Sequence, residues 1–227
     1  MKKEYFSFFN SIKLFNGIDE NILKIFANIA IEEEYKEGRY IIKKNEISDS
    51  LFIIYDGYIE IEQSNEQGES KILAILKKGD CFGEIGFLTG KPRSASARTL
   101  QPTKLLIIKR ADFQKEILQN PDLILNIIEI LSERLLSANE QIKTLTFKTI
   151  AGRLSYELLT LSKNNGIKTD EGIKINLPIT HQFLGELIGT AREVVTRIIS
   201  KFKKEGSIKI DNKYITIIDE EKLKKWN

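Results

Sequence analysis

One cysteine, one histidine, one methionine and one tryptophan are all that 227 residues contain of those four types. With Cys81 alone the chain can build no intrachain disulfide, no thiolate-ligated zinc site and no iron–sulfur cluster, so no metal centre is expected. No apolar run approaches the roughly 20 residues of a membrane span, and no membrane partner is expected. The opening MKKEYFSFFNSIK is basic, but Ser7, Asn10, Ser11 and Lys13 interrupt its apolar run, so it does not read as a secretory signal. A cytoplasmic location is the expectation. Internal repeats and low-complexity tracts are missing. So are a nucleophile with a base, a metal-ligand set and a Walker or Rossmann glycine pattern; Gly83-x-x-Gly86 is too short to stand for one. The chain does not read as an enzyme.

What is present is the make-up of a soluble globular protein, 41% hydrophobic and 30% charged, long enough for about one large or two smaller domains. The net charge of +3 is unevenly spread. Met1 to Phe147 carries 20 lysines and arginines against 22 acids, and Lys148 to Asn227 carries 15 against 10. A polyanionic partner would therefore meet the C-terminal part.

The stretch Asp80 to Arg98, DCFGEIGFLTGKPRSASAR, concentrates the chemistry. Gly83 and Gly86 let backbone N–H groups approach a ligand closely, and the start of a short helix adds unpaired donors. Glu84 can accept from a sugar hydroxyl, and Arg93, followed by Ser94 and Ala95, offers a planar fork to two phosphate oxygens. This is a cassette for something small, anionic and hydroxylated. Cys81 beside it reads as a small packing residue.

Around the cassette the pattern alternates in kind. Residues Glu4 to Ala30 read as one or two short helices, with Ile18, Ile22, Ile25, Phe26 and Ile29 at helical spacing. From Glu32 to about Lys109, short apolar runs follow one another: Tyr40–Ile42, Leu51–Tyr55, Tyr58–Ile61, Lys71–Leu76 and Lys104–Ile108. Turn residues such as Asp56-Gly57 and Gln67-Gly68 divide them, which predicts an antiparallel barrel or roll. Asn120-Pro121-Asp122 then opens a long helix. Along it Ile124, Ile128, Leu131, Leu135, Ala138, Ile142 and Leu145 alternate spacings of 4 and 3, a heptad seam suited to a two-stranded dimer. Thr146 to Lys148 breaks the seam, a further helix runs to about Ser162, and Lys163 to Gly166 reads as a loop.

In the basic half, Thr180 can cap a short helix bearing Phe183, Leu184, Leu187 and Ile188; Gly189 makes a turn, and Ala191 starts a second helix. At 100° per residue from Arg192, the residues Arg192, Glu193, Thr196, Arg197, Ser200, Lys201 and Lys204 fall within about 0° to 180°. Val194, Val195, Ile198, Ile199 and Phe202 share the other side. Ile208–Ile210 and Tyr214–Ile217, joined through Asp211-Asn212-Lys213, predict a two-stranded wing. Trp226 reads as a packing or tail residue.

Cassette, seam helix and winged helix-turn-helix in this order resemble the Crp/Fnr superfamily of bacterial transcription regulators over nearly the whole chain. FGEIGFLTGKPRSASA and TAREVVTRII carry the resemblance most specifically. It implies an α+β chain: a β-roll effector domain at 1–120, a dimerisation helix and hinge at 121–147, and a winged helix-turn-helix DNA-binding domain at 148–227. By the same matching, Gly83 and Glu84 would hold ribose and phosphate, Arg93 and Ser94 would clamp a cyclic phosphate, and Ile85 and Ala95 would flank them. Cyclic AMP or another cyclic nucleotide is the effector so implied. Leu131 and Ser132 stand where the cyclic-AMP activators have a Thr-Ser pair against adenine; Ser132 keeps the hydroxyl, whereas Leu131 reads as seam packing, so the base is not carried over.

Arg192, Glu193 and Arg197 would read base edges, with Thr196 and Lys201 on the same face. His181 would lie at the DNA backbone, and Thr180 and Gln182 beside it are counted with the DNA-binding residues. Thr196 replaces the glycine or serine of the branches it resembles, so the half-site is not transferable either. The expected partners are an inverted-repeat duplex operator, a second copy of the chain and, as a further candidate, RNA polymerase. Two alternatives stand beside this reading: a regulator of this type whose effector is not a cyclic nucleotide or which needs none, and a ligand-binding regulatory module for a partner protein.

Overall fold

The computed structural model describes residues 3–47, 49–117 and 120–226. The chain divides into two compact units, Met1–Gln63 with Leu73–Ser137, and Ser64–Ile72 with Ala138–Asn227.

The first unit opens with α1 (Lys3–Ser11), a 3-10 turn (Lys13–Phe15) and α2 (Glu20–Ile29). Strands follow: β1 (Ile31–Tyr35), β2 (Tyr40–Ile42), β3 (Ser50–Asp56), β4 (Tyr58–Ser64), β5 (Ser70–Lys77) and β6 (Cys81–Phe82), with Ser64 and the start of β5 to Ile72 counted in the second unit. Then come α3 (Glu84–Thr89), β7 (Ser96–Thr99), β8 (Thr103–Lys109), α4 (Arg110–Ile117) and α5 (Pro121–Phe147). The strands make two four-stranded sheets in the orders β1-β8-β3-β6 and β2-β7-β4-β5. In the first sheet β8 pairs antiparallel with both β1 and β3. This is the expected roll.

β3 explains how the roll is held. Its run Leu51-Phe52-Ile53-Ile54 is continuously apolar because both of its faces are covered. Leu51 and Ile53 point into a cluster with Phe9, Phe15, Phe26, Phe113, Leu123 and Ile127, between sheet and helices. Phe52 and Ile54 point the other way, into the roll interior with Ile59, Phe82, Ala97 and Leu105. A chain of tilted rings from Phe9 through Phe15 and Phe26 to Phe113 ties the N-terminal helices to α4.

The second unit contains α6 (Ile150–Asn165), β9 (Gly166–Thr169), β10 (Gly172–Ile175), α7 (His181–Ile188), α8 (Arg192–Lys204), β11 (Ile208–Asp211), β12 (Tyr214–Ile217) and α9 (Glu220–Lys224). Its sheet has the order β11-β12-β10-β9. The two-stranded wing is thus half of a four-stranded sheet. Lys163 to Asn165 belong to α6, where a loop is expected from sequence, and the helix passes directly into β9. The unit boundary also falls inside α5, ahead of the expected hinge near Phe147. The cause is packing: Leu123, Ile127, Ile130 and Leu131 belong to the core of the first unit. Among the described residues, no helix is long and apolar enough to cross a membrane.

Candidate effector cassette and nucleic-acid interface

The cassette is assembled by a backbone feature and two ion-bearing side chains. Gly83 links β6 to α3 with φ of 83°, in the left-handed region. A Cβ there would lie 2.5 Å from Nη1 of Arg93, so glycine serves both the turn and the close approach. Arg93 is only 4% exposed. Its Nη1 donates to the Gly83 carbonyl at 2.8 Å and its Nη2 to the Ser50 carbonyl at 2.8 Å, and the guanidinium lies 5.4 Å from the centre of the Phe52 ring. Burial lowers its pKa, opposed by Asp49, Glu84 and Glu46. Two of the donors predicted to hold phosphate thus meet carbonyls here, while Nε is buried with no hydrogen-bond partner among the described residues.

Glu84 is 5% exposed and pairs with the guanidinium of Arg134 on α5, which also donates to the carbonyl of Cys81. The second carboxylate oxygen of Glu84 is buried with no hydrogen-bond partner among the described residues. A buried acceptor left open in this way suits a ligand hydroxyl. Ser94 is exposed, and its carbonyl accepts from Gln63 Nε2 at 2.8 Å. Ala95 is half-buried, and Ile85 is exposed on the outer side of α3. Ser132 is not brought to the cassette within one chain. Its hydroxyl donates to the Ile128 carbonyl at 2.7 Å, and it lies about 160° around the helix from Arg134.

Arg134 is the cassette residue that sequence reasoning missed. The available signal was its place on the stripe of Leu123, Ile127, Ile130 and Leu131, a cation among residues that face the core. Cys81 is buried, and burial raises its thiol to about 12, with Glu84 adding to the effect. Among the described residues, no group of three or more histidines, cysteines or acids is placed to hold a metal ion.

The predicted seam forms an adjacent stripe of α5. Ile128, Leu135 and Ile142 are 53%, 64% and 62% exposed, and Ile124, Ala138 and Leu145 are exposed beside them. Leu131 differs: it is half-buried against the first unit's own core. One helix thus carries a covered apolar face and an uncovered one.

In the second unit the expected helix, turn and helix are all present. Thr180 Oγ1 accepts from the Phe183 N–H at 3.1 Å and caps α7. Gly189 closes that helix at φ of 69°. Val195, Ile198, Ile199 and Phe202 of α8 are buried, while Arg192, Glu193, Thr196, Arg197, Ser200 and Lys201 are exposed. Within this face His181 Nδ1 lies 2.8 Å from Thr196 Oγ1, and Gln182 donates to Glu186 at 2.7 Å. Partial burial lowers the His181 pKa, and Arg192 and Lys203 push it the same way. Trp226 packs its ring on Phe202 and donates from Nε1 to Glu205 at 3.1 Å, in keeping with a packing role.

Two family descriptions match this chain: Cyclic nucleotide-binding domain over residues 32–120 and Crp-like helix-turn-helix domain over residues 152–226. A protein of Pasteurella multocida named cAMP-activated global transcriptional regulator CRP is 30% identical over 186 residues, 81% of this chain and 88% of that protein. A Global nitrogen regulator of Synechococcus elongatus is 29% identical over 189 residues, 82% of this chain and 85% of that one. The fold matches the solved structure of the c-di-GMP responsive global regulator CLP of Xanthomonas campestris, with a TM-score of 0.78 at 21% identity, covering 88% of this chain and 99% of that one.

Proposed function

The chain belongs to the Crp/Fnr family of transcription regulators, and on that premise we propose that it acts as a homodimer, binding an inverted-repeat duplex through two copies of α8 under the control of the roll. The observation that carries this is the two-sided character of α8, whose buried side anchors it while Arg192, Glu193, Thr196, Arg197, Ser200 and Lys201 stay exposed. Arginine can fork onto guanine O6 and N7, and glutamate can accept from cytosine N4. Two-fold symmetry sets half-sites about one helical turn (~10 bp) apart. The uncovered seam of α5 supports self-association. DNA as partner implies a cytoplasmic site of action, with RNA polymerase the partner through which promoter output would change.

For the effector, the open carboxylate oxygen of Glu84 supports a hydroxylated ligand such as a cyclic nucleotide. A second reading, control by another effector or by none, is favoured by Arg93, which turns Nη1 and Nη2 onto the Gly83 and Ser50 carbonyls and leaves only Nε without a partner among its nitrogens. Selection of bound oligonucleotides from a random pool, with and without cyclic AMP, tests the main reading. Arg192→Ala and Arg197→Ala should each cost about 1–3 kcal/mol on the selected site. Equal weakening on selected and random DNA would refute base reading. Calorimetry with cyclic AMP and cyclic GMP on the natural protein and on Arg93→Ala separates the two effector readings. Heat that disappears in the variant supports a cyclic nucleotide, and no heat from either protein supports the second reading.

A further inference from the structure

Asp49, Lys109, Arg110, Ala111 and Gln114 line a cleft of about 440 Å³ where β8 runs straight into α4. The main chain fixes this corner, since the Arg110 N–H donates to the Asp49 carbonyl at 2.8 Å. The Arg110 side chain is half-buried, with its guanidinium beside Gly90, where a Cβ would lie 3.2 Å from Nη1. A guanidinium carries five N–H donors. Among the described residues, those of Arg110 meet no hydrogen-bond acceptor and no carboxylate, and Nε is buried as well. A buried donor in this state is costly, and a bound anion relieves it.

The neighbouring groups fit the same reading. Lys109 reaches Asp49 at 3.2 Å with 50% and 66% of the two side chains in solvent, a weak pair from which Lys109 is easily drawn. Ala111 stands in the first turn of α4, whose opening N–H groups have no acceptor within the helix. Asp49 is an acid on the same cleft, and its pKa is lowered first by the Ser50 hydroxyl and also by Lys109. Two cations and the start of a helix thus face one carboxylate. A cation beside Gly90 also suits the C-terminal end of α3, but that role by itself leaves the donors of Arg110 without an acceptor.

We infer that this cleft is a second ligand site of the first unit, taking a small oxyanion of the phosphate class on the fork of Arg110, with Lys109 and Gln114 as further donors. A guanidinium matches two phosphate oxygens at once. The cleft shares no lining residue with Gly83, Glu84 or Arg93, and the inference stands apart from the DNA-reading function.

The test uses the full-length protein with inorganic phosphate as the probe. Phosphate also stabilises proteins generally, so the natural protein is compared with Arg110→Gln at equal ionic strength. When about 50 mM phosphate replaces chloride, the unfolding temperature of the natural protein should rise further than that of the variant. In an NMR titration the Ala111 N–H and the Gln114 side-chain amide should shift with a Kd on the order of 1 mM, weakened at least about tenfold in Arg110→Gln. Arg110→Lys, which keeps the charge and loses the fork, should bind in between. If Arg110→Gln does not fold, Lys109→Gln takes its place, with a loss of about threefold expected. Ribose 5-phosphate in the same titration separates the sources: tighter binding assigns a phosphate carried on a sugar, and equal or weaker binding assigns the free anion. Equal rises in unfolding temperature, or shifts at Ala111 and Gln114 that survive unweakened in the variant, overturn the inference and leave Arg110 to the end of α3 alone.

Discussion

Arg134 and Glu84 join the long helix to the head of the cassette. The guanidinium pairs with the buried carboxylate and also holds the carbonyl of Cys81, so one side chain secures both ends of the β6-to-α3 turn. A ligand hydroxyl that reached Glu84 would share its acceptor with a residue of α5, and Arg134 directly precedes the exposed seam residue Leu135. A ligand bound there would therefore meet α5 through one carboxylate.

That link is measurable as a coupling energy. Arg134→Ala and Glu84→Gln, alone and together, form a double-mutant cycle on urea unfolding. We expect a coupling of about 1–3 kcal/mol at low salt, since Glu84 is buried although Arg134 keeps about a third of its side chain in solvent. Strictly additive single effects would mean that the pair contributes nothing.

The uncovered seam predicts the behaviour of charge substitutions along it. Leu135→Lys combined with Ile142→Lys should convert a sedimenting dimer into a monomer whose roll remains folded, because both side chains are exposed in the single chain. Each buried seam residue is worth on the order of 1.5–3 kcal/mol before ordering costs. Unchanged sedimentation of the double variant would remove α5 as the interface.

Cys81 should behave as an inert thiol. It is buried, and with its ionisation raised to about 12 little thiolate exists at neutral pH. A disulfide-exchange reagent at pH 8 should label it only at the rate of unfolding, and at once in denaturant. Immediate labelling of the native protein would reopen a redox role.

Glu157, in α6, gives the second unit a pH signature. Burial pushes its carboxyl up to about 7, against the pull of Lys71 in the same unit. The folded chain then keeps this proton to higher pH than the unfolded chain, whose carboxyl titrates near 4.5. Stability from this group is full below about pH 4.5 and is lost as pH rises through about 7. Thermal unfolding should show a loss of about 1–3 kcal/mol across that window, flattened in Glu157→Gln. An identical slope in the variant would assign the effect elsewhere.

Much of the fold could be read from the chain because its signals are local. Thr180, Gly189 and the two-sided run from Arg192 to Lys204 announce cap, turn and helix, each within a few residues. The strand β1 escaped notice because Glu32, Glu33 and Glu34 hide any alternation; its partner β8 supplies Lys104, which bridges Glu32 and Glu34 at 3.1 Å each. The strands β9 and β10 escaped because four residues apiece, each opening on glycine, are too short to show a period. They become strands by pairing with each other and with β12.

The amino-acid order by itself determined which residues could do chemistry: the cassette from Gly83 to Ala95, the apolar repeat along α5, and the basic side of α8. Composition, spacing and turn chemistry act over a few residues, so they survive in a linear string. Only the tertiary structure decided what those side chains do with their hydrogen bonds. Arg93 turns onto two carbonyls, Arg134 comes from 50 residues away to meet Glu84, and His181 occupies the hydroxyl of Thr196. A donor can be spent only once, and which partner takes it depends on groups that folding brings together from distant parts of the chain.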